Sequence, residues 1–413
     1  MHNVNLFTKM AGGRADRRVL IYSHDSFGLG HLRRCLAIAH SLVARHKKLS
    51  VLILSGSPII GSFDFRARVD FVRVPGVIKL RNGEYTSLSL HISIEQTLEL
   101  RASIICHTAQ AFAPDIFIVD KEPLGLEGEV ADTLAILKDG GTSLVLGLRD
   151  VMDEPQLLAP EWKRKNVLPA LEHLYDQIWI YGLRHLWDPL SGLDLPVTVQ
   201  NKAVFTGYLR RELPRQRLAS PADGLVEGPF LLVTPGGGGD GEALVDWVLK
   251  AYEYDPHIPY PSLVVFGPFM APRRRAAFLR RIGELAKVEA ITFDSHLEFL
   301  MAQSAGIVAM GGYNTFCEIL SFDKPALIVP RTVPRREQFI RASRAQEMGL
   351  VRVLEDDGIY DPAVMAAALR DLPSQEPPSR VVVPGLLDGL TNVNRLVDNY
   401  LEPPGVIPRV AAQ

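Results

Sequence analysis

Residues 23–34, SHDSFGLGHLRR, place two histidines, a carboxylate and two arginines around a glycine turn. This stretch follows the apolar run RVLIYS and precedes CLAIAHSLVARH, whose apolar residues recur at helical spacing. Gly28 and Gly30 let the backbone approach a ligand at the start of that helix. An imidazole in this position accepts a proton near neutral pH, so His31 is a candidate general base, the alternative being a core or capping histidine. Asp25 is a second catalytic candidate, because its carboxylate can orient an imidazole or bind acceptor hydroxyls.

A second glycine loop, TPGGGGDGEAL at residues 234–244, also follows an apolar, strand-like run. Backbone N–H groups without side chains approach an anion closely, and the helix that follows adds its positive end. The loop therefore favours a phosphate or diphosphate, although it matches neither the P-loop nor the dinucleotide-binding glycine pattern. The alternative is a flexible surface loop. The residues assigned to the nucleotide site here are Gly236, Gly237, Gly238 and Gly239.

The stretch AMGGYNTFCEIL, residues 309–320, repeats this order of strand, glycine turn and helix. Asn314 or Thr315 can cap the helix or meet a phosphate at its N-terminus. Glu318 stands one turn further and can accept two hydroxyl hydrogen bonds, as from a ribose; the alternative is an acid favoured by the helix dipole. The nucleotide-site residues assigned in this stretch are Gly311, Gly312, Asn314, Thr315 and Glu318.

Polar side chains follow three further strand-like runs. In PRTVPRREQFIRASR, residues 330–344, Glu337 and Gln338 can hydrogen-bond sugar hydroxyls and Arg331 can pair with phosphate, the alternative being a solvated helix face. The run IVDKEPLG supplies Asp120, the third catalytic candidate, and GLRDVMDE supplies an arginine and two more carboxylates. Because ligands bind outside the carboxyl ends of the strands in open α/β sheets, we expect all of these residues to line a cleft.

Apolar runs of four to six residues alternate with helix-period segments along most of the 413 residues. At roughly 100–200 residues per domain, this length suits two or three domains. The strand–helix alternation restarts after the Pro-rich, polar stretch Leu213–Gly228. This restart predicts an α/β protein with two facing, doubly wound, Rossmann-like domains, a change of domain near residues 203–228 and a cleft between the domains. The helices expected between the first strands are Leu29–Ala44, Ile92–Phe112 and Gly125–Lys138.

Composition excludes several classes of protein. The net charge of −2 offers no field that would attract nucleic acid. Three scattered cysteines, no signal-peptide pattern and no run of ~18 apolar residues together predict a cytoplasmic protein. The basic segment APRRRAAFLRRI leaves peripheral contact with the inner face of a membrane open, against a plain solvated helix. No metal site is predicted, because the sequence shows no Asp-x-Asp triplet and no metal-ligand spacing.

These motifs, in this order over roughly residues 17–400, resemble the GT-B superfamily of nucleotide-sugar glycosyltransferases. They are most similar to the branch that contains the peptidoglycan N-acetylglucosaminyltransferase, whose acceptor is lipid-linked. The resemblance implies an acceptor-side domain (residues 1–205), a nucleotide-sugar domain (206–385) and a C-terminal helix that crosses back to the first domain (386–413). It also implies that His31 lies near the acceptor and the diphosphate. Arg341 departs from the family, which has an amide residue there.

The resemblance implies an inverting, metal-independent glycosyltransferase that needs no cofactor. Its donor would be a UDP-linked nucleotide diphosphate sugar, its acceptor a saccharide or a lipid-linked molecule, and its role the synthesis of cell-envelope polysaccharide. Two alternatives stay open. The stretch GLGHLRRCLAIAHSL also resembles the nucleotide-sugar hydrolase of pseudaminic acid synthesis, in which a histidine activates water. A non-catalytic nucleotide-sugar-binding protein could likewise keep the second-domain loops.

Overall fold

A computed structural model of the chain describes residues 16–24, 30–80, 84–214, 219–237, 239–356 and 358–401. Three residues assigned from the sequence, Asp25, Gly28 and Gly238, lie outside these described residues. The other candidate site residues lie within them.

The first half of the chain forms a parallel sheet with helices on both faces. Its elements are β1 (Arg17–Ser23), α1 (Gly30–Arg45), β2 (Leu49–Ser55), β3 (Val69–Arg73), β4 (Val77–Lys79), β5 (Tyr85–Ser87), α2 (Ile94–Phe112), β6 (Ile116–Asp120), α3 (Ala131–Asp139), β7 (Ser143–Arg149), α4 (Pro155–Arg164), α5 (Leu168–His173), β8 (Gln177–Tyr181), α6 (Val197–Gln200) and β9 (Ala203–Phe205). Within the described ranges the strand order is β3-β2-β1-β6-β7-β8-β9, and β4 and β5 pair separately as an antiparallel hairpin.

The second half repeats this plan. Its elements are β10 (Leu231–Thr234), α7 (Glu242–Tyr254), β11 (Ser262–Val265), α8 (Pro272–Ile282), β12 (Val288–Ile291), α9 (Leu297–Gln303), β13 (Gly306–Ala309), α10 (Tyr313–Ser321), β14 (Ala326–Ile328), α11 (Glu337–Glu347), β15 (Arg352–Val353), α12 (Pro362–Asp371) and α13 (Gly389–Leu401). The described strands form a parallel sheet in the order β12-β11-β10-β13-β14-β15. In both sheets the order reverses beside the first strand, and such a switch point is where open α/β sheets bind ligands.

Burial follows from the sequence pattern. β1 is buried on both faces, which explains its continuous apolar run. In α1 the buried positions recur at helical spacing, at Leu32, Cys35, Ala39 and Leu42, and this stripe packs on the first sheet. The same core continues into the second domain through α10 and α11, so the helices that face each other across the two domains share one apolar cluster.

The last helix, α13, packs on the first domain rather than the second. Val393 and Val397 are fully buried in the shared core, and Asn394 Nδ2 donates to Ser41 Oγ of α1 at 2.8 Å. The chain reaches this position past Gly207, which has φ +88°, and a Cβ there would lie 2.3 Å from the carbonyl oxygen of Gly385. A glycine is therefore required at position 207, where the chain passes close to the backbone of Gly385.

The predicted α/β class with two doubly wound sheets is confirmed, and the strand-like runs that precede the two glycine turns of the second half become β10 and β13. One helix prediction is wrong at its start. The expected helix Gly125–Lys138 begins only at Ala131, because Gly125 has φ +71° and a short 3₁₀ turn occupies residues 126–128. The sequence patterns also missed the β4–β5 hairpin, whose strands have only three residues each.

Candidate active site

The structure brings His31 and Asp120 into contact. His31 lies in the first turn of α1 and Asp120 ends β6, the strand beside β1. His31 Nδ1 lies 2.5 Å from Asp120 Oδ2. Arg34, one turn further along α1, donates to the same carboxylate from Nε to Oδ1 at 2.8 Å and from Nη2 to Oδ2 at 2.7 Å. Since a carboxylate only accepts, we assign the proton to Nδ1, and this leaves Nε2 with a free lone pair.

The electrostatics keep this histidine neutral. Burial lowers the pKa of His31 to about 4, although the Asp120 carboxylate acts in the opposite direction. Burial would raise the pKa of Asp120, but the Arg34 guanidinium and His31 outweigh it and hold that pKa below its usual range. At neutral pH the pair therefore combines an ionised carboxylate with a neutral imidazole, which is the state that a general base needs.

His31 faces a cavity of about 540 Å³ between the two domains. From the first domain the lining includes Gly30, His31 and Arg149. The second-domain wall supplies most of the residues assigned from the sequence, namely Gly236, Gly237, Gly239, Gly312, Asn314, Thr315, Arg331, Glu337 and Gln338. Phe63 and Phe293, which the sequence patterns did not single out, add aromatic surface on which a nucleobase could stack.

The two glycine turns shape the second-domain wall. Gly236 has φ +91° and meets the turn at Gly267, where a Cβ would lie 2.3 Å from the Gly236 carbonyl oxygen. Gly311 has φ +77° and lies beneath the surface, with Ile328 Cγ2 2.7 Å from the place of a Cβ. These backbones fit together only as glycines. Gly312 is the N-cap of α10 and no side chain caps this helix, so its first N–H groups are available to an anion.

Asn314 has a different environment from the one expected. It neither caps α10 nor is free for a phosphate in this structure. Its Nδ2 donates to the Gly30 carbonyl at 2.9 Å, and its Oδ1 accepts from Arg211 Nη2 at 2.7 Å. Asn314 thus ties the start of α10 to the start of α1, across the cleft. Thr315, the next residue, lines the cavity.

Glu318 lies behind the cavity wall. Its side chain is fully buried, and Arg33 of α1 approaches its Oε1 to 2.6 Å while also donating to Glu298 at 2.5 Å. Burial raises the pKa of Glu318 to about 7, against the effect of the Arg33 guanidinium. Arg33 itself lines the cavity, so a ribose would reach Glu318 only after this arginine moves aside.

The pair Glu337–Gln338 begins α11 and lines the cavity. Glu337 Oε1 accepts from Arg331 Nη2 at 2.7 Å, whereas its buried Oε2 has no hydrogen-bond partner among the described residues. Gln338 Oε1 accepts from the Arg331 backbone N–H at 3.2 Å, and its Nε2 remains a donor. Together they present an acceptor and a donor, which suits sugar hydroxyls.

Three other arginines of this segment bind carboxylates of the first domain. Arg341, fully buried, donates from Nε and Nη2 to both oxygens of Asp150 at 2.7 and 2.6 Å. Asp150 also accepts from Tyr208 Oη at 2.8 Å. Arg335 donates to Glu161 at 2.9 Å and Arg336 to Glu154 at 2.6 Å. These contacts hold the two domains together. They can be recognised only in the tertiary structure, not from the sequence.

Two features are absent from the described ranges, a metal-binding cluster and a membrane-spanning helix. No group of three or more His, Cys, Asp or Glu residues is arranged to hold a metal ion. None of the helices that can be described combines the length and apolar character needed to cross a bilayer.

Comparison with known proteins agrees with this geometry, although no family model matches the chain. A curated relative, an uncharacterized glycosyltransferase of Methanosarcina acetivorans, is 25% identical over 387 residues, which is 91% of this chain and 96% of the relative. The solved structure of Medicago truncatula UGT71G1, complexed with UDP-glucose, matches with a TM-score of 0.60 at 13% identity, covering 94% of this chain and 99% of that one. Acinetobacter baumannii MurG matches with a TM-score of 0.54 at 13% identity, covering 93% and 99%.

The chain is a glycosyltransferase homologue with the GT-B fold. The predicted resemblance to GT-B glycosyltransferases and the predicted enzyme class are thereby confirmed. In GT-B terms, the 540 Å³ cavity is the cleft between the two Rossmann-like domains. The roles assigned to individual residues of this GT-B cleft stay predictions.

Proposed function

We propose that the protein transfers a sugar from a nucleotide diphosphate sugar, UDP-linked, to a hydroxyl group of a saccharide or lipid-linked acceptor. The observation that carries this proposal is His31, which contacts Asp120 and lines one cavity together with two glycine turns of the second domain. The curated relative supports the enzyme class, and UGT71G1, whose fold is similar, was solved with UDP-glucose.

In the proposed step, the acceptor oxygen attacks the anomeric carbon of the donor sugar. Its proton passes to His31 Nε2, while the bond from the anomeric carbon to the diphosphate oxygen breaks and its electron pair leaves with the nucleotide diphosphate. The Asp120 carboxylate, 2.5 Å from Nδ1, stabilises the imidazolium that forms. A single displacement of this kind inverts the configuration at the anomeric carbon.

The leaving diphosphate gains negative charge, and we assign its stabilisation to backbone groups. Gly236, Gly237 and Gly239 line the same cavity as the uncapped start of α10, and we assign the diphosphate to the N–H groups of these residues. By analogy with an oxyanion hole, each well-placed donor contributes about 3 kcal/mol to the transition state. This role for the backbone is the reason for proposing a metal-independent reaction.

A donor panel tests the proposal. UDP, dTDP and GDP sugars are first scored by thermal shift, and each binder is then incubated with saccharides and with polyprenyl phosphate sugars in vesicles. The expected result is UDP-sugar binding and a new glycosidic bond with inverted configuration, read by NMR. Rapid release of free sugar with donor alone would instead indicate the hydrolase. Binding without turnover on any acceptor would indicate a non-catalytic binding protein.

If the acceptor proves to be lipid-linked, the reaction would take place at the inner face of the cytoplasmic membrane. Co-sedimentation of the protein with acceptor-containing vesicles, against vesicles of the same lipids without acceptor, tests this location.

A further inference from the structure

Arg149 stands on the same wall of the cleft as the candidate base. It is the last residue of β7, which pairs with β6 so that Gly147 is level with Asp120. Arg149 therefore lies two residues beyond Asp120 in the direction of the cavity, which it lines. Asp120 holds His31, so the register places Arg149 on the side of the reacting carbon and not on the glycine-loop wall of the second domain.

The charge of Arg149 is not neutralised by contact. Among the described residues its guanidinium makes no ion pair, and its buried Nε has no hydrogen-bond partner. Burial lowers its pKa to about 10, so it still carries a full charge at neutral pH. Arg149 is partly buried, and an isolated cation in such a place is costly unless a ligand supplies the missing partner.

The other arginines that line the cavity differ in this respect. Arg33 is paired with Glu298 and Glu318, and Arg34 is held by Asp120. Arg331 is paired with Glu337 and Asp240. Of the cavity-lining arginines in the described residues, Arg149 is thus the one whose charge is available to a bound ligand.

The position of Arg149 determines which part of a bound nucleotide sugar it contacts. Arg149 lines the same cavity as Glu337 and Gln338, and it makes no ion pair with Glu337. Since Glu337 and Gln338 present an acceptor and a donor for sugar hydroxyls, a donor sugar bound to them would lie in the cavity that Arg149 also lines. A planar guanidinium matches a carboxylate through two parallel hydrogen bonds.

We propose that the donor sugar is a uronic acid, whose C6 carboxylate is bound by Arg149 while its hydroxyls meet Glu337 and Gln338. This inference rests on the proposed transfer from a nucleotide diphosphate sugar. Arg149 is then the specificity-determining residue that distinguishes an oxidised hexose from its neutral counterpart.

Matched donors test the proposal, because UDP-glucuronic acid differs from UDP-glucose, and UDP-galacturonic acid from UDP-galactose, only at C6. In the wild-type protein we expect kcat/KM for one uronate to exceed that of its neutral partner by about 10–100-fold, the size expected of a charge-assisted contact. Arg149→Ala should remove most of this preference while leaving the neutral donors nearly unchanged. Arg149→Lys should retain part of this preference, since lysine keeps the positive charge but lacks the two parallel N–H donors of the guanidinium.

The control is Arg344→Ala, which removes an exposed arginine of α11 that pairs only with nearby Glu347 in the described structure and should leave the preference unchanged. Thermal melts verify that each variant is folded. A wild-type preference for the neutral donors overturns the inference while the proposed function stands. An equal loss of kcat/KM for charged and neutral donors in Arg149→Ala also overturns the inference, because it would place Arg149 on the diphosphate. An effect of Arg149→Ala confined to the KM of an anionic acceptor overturns it as well. Absence of binding to every UDP sugar would instead refute the proposed function.

Discussion

Replacing Asp120 by asparagine tests whether the carboxylate sets the state of His31. The substitution keeps the size of the side chain but gives it an NH₂ group. Arg34 donates to both oxygens of Asp120 at 2.7–2.8 Å, so the remaining amide oxygen is drawn toward the guanidinium and the NH₂ group toward His31 Nδ1. Nδ1 then accepts a hydrogen bond, the ring proton moves to Nε2, and the lone pair that should receive the acceptor proton is lost.

We expect Asp120→Asn to lower kcat by about 10²–10⁴-fold, the usual share of general acid–base catalysis. Donor Kd should hardly change, because Asp120 does not line the cavity. Arg34 also loses part of its buried partner, so the free energy of unfolding should fall by up to about 3–5 kcal/mol. Activity is therefore expressed per folded molecule, with donor Kd measured by calorimetry.

The control for Asp120→Asn is Asp115→Asn, which weakens a half-buried aspartate–arginine pair just before β6. That variant should keep full kcat. A folded Asp120→Asn enzyme with near-normal kcat would refute the argument, since it would show that His31 does not depend on this carboxylate.

Three further predictions concern binding, stability and metal dependence. Glu318→Ala should weaken donor binding by about 1.5–3 kcal/mol in calorimetry while kcat at saturating donor stays similar; an unchanged Kd would make Glu318 only a structural partner of Arg33. Asp150→Ala leaves Arg341 buried without its partner, so urea unfolding should show a loss of about 3–5 kcal/mol, whereas Arg344→Ala should stay within about 0.5 kcal/mol. Excess EDTA should change neither donor binding nor turnover, and a loss restored by Mg²⁺ or Mn²⁺ would contradict the metal-independent proposal.

The strands, the helices and the loops that follow the strands could be predicted from the sequence, because buried strands and glycine turns are local patterns. It could name His31 and Asp120 but not their contact, which depends on β6 lying beside β1 after a crossover. It also placed Glu337 and Gln338 at a cleft, since they follow a strand of the second sheet.

What sequence reasoning missed depends on how the domains meet. The Arg341–Asp150 pair joins two domains and leaves no local signal, so Arg341 could be noted only as a departure from the family. Arg33 has no local sequence signal for its partner, yet it reaches Glu318 across the cleft. Arg149 stood among several polar residues after a strand, and only the pairing of its neighbours shows that its charge is left for a ligand.

The pH dependence of kcat/KM in the wild type and in His31→Ala tests the central claim, that His31 is the base, most directly. With transfer measured on the best acceptor of the panel, the wild type should lose activity as pH falls through about 4, because protonation of His31 removes the lone pair. His31→Ala should be about 10²–10⁴-fold slower and lack this limb, with circular dichroism confirming the fold at each pH. A folded His31→Ala enzyme that keeps near-normal kcat and the same acid limb would contradict the account and place the base on another residue.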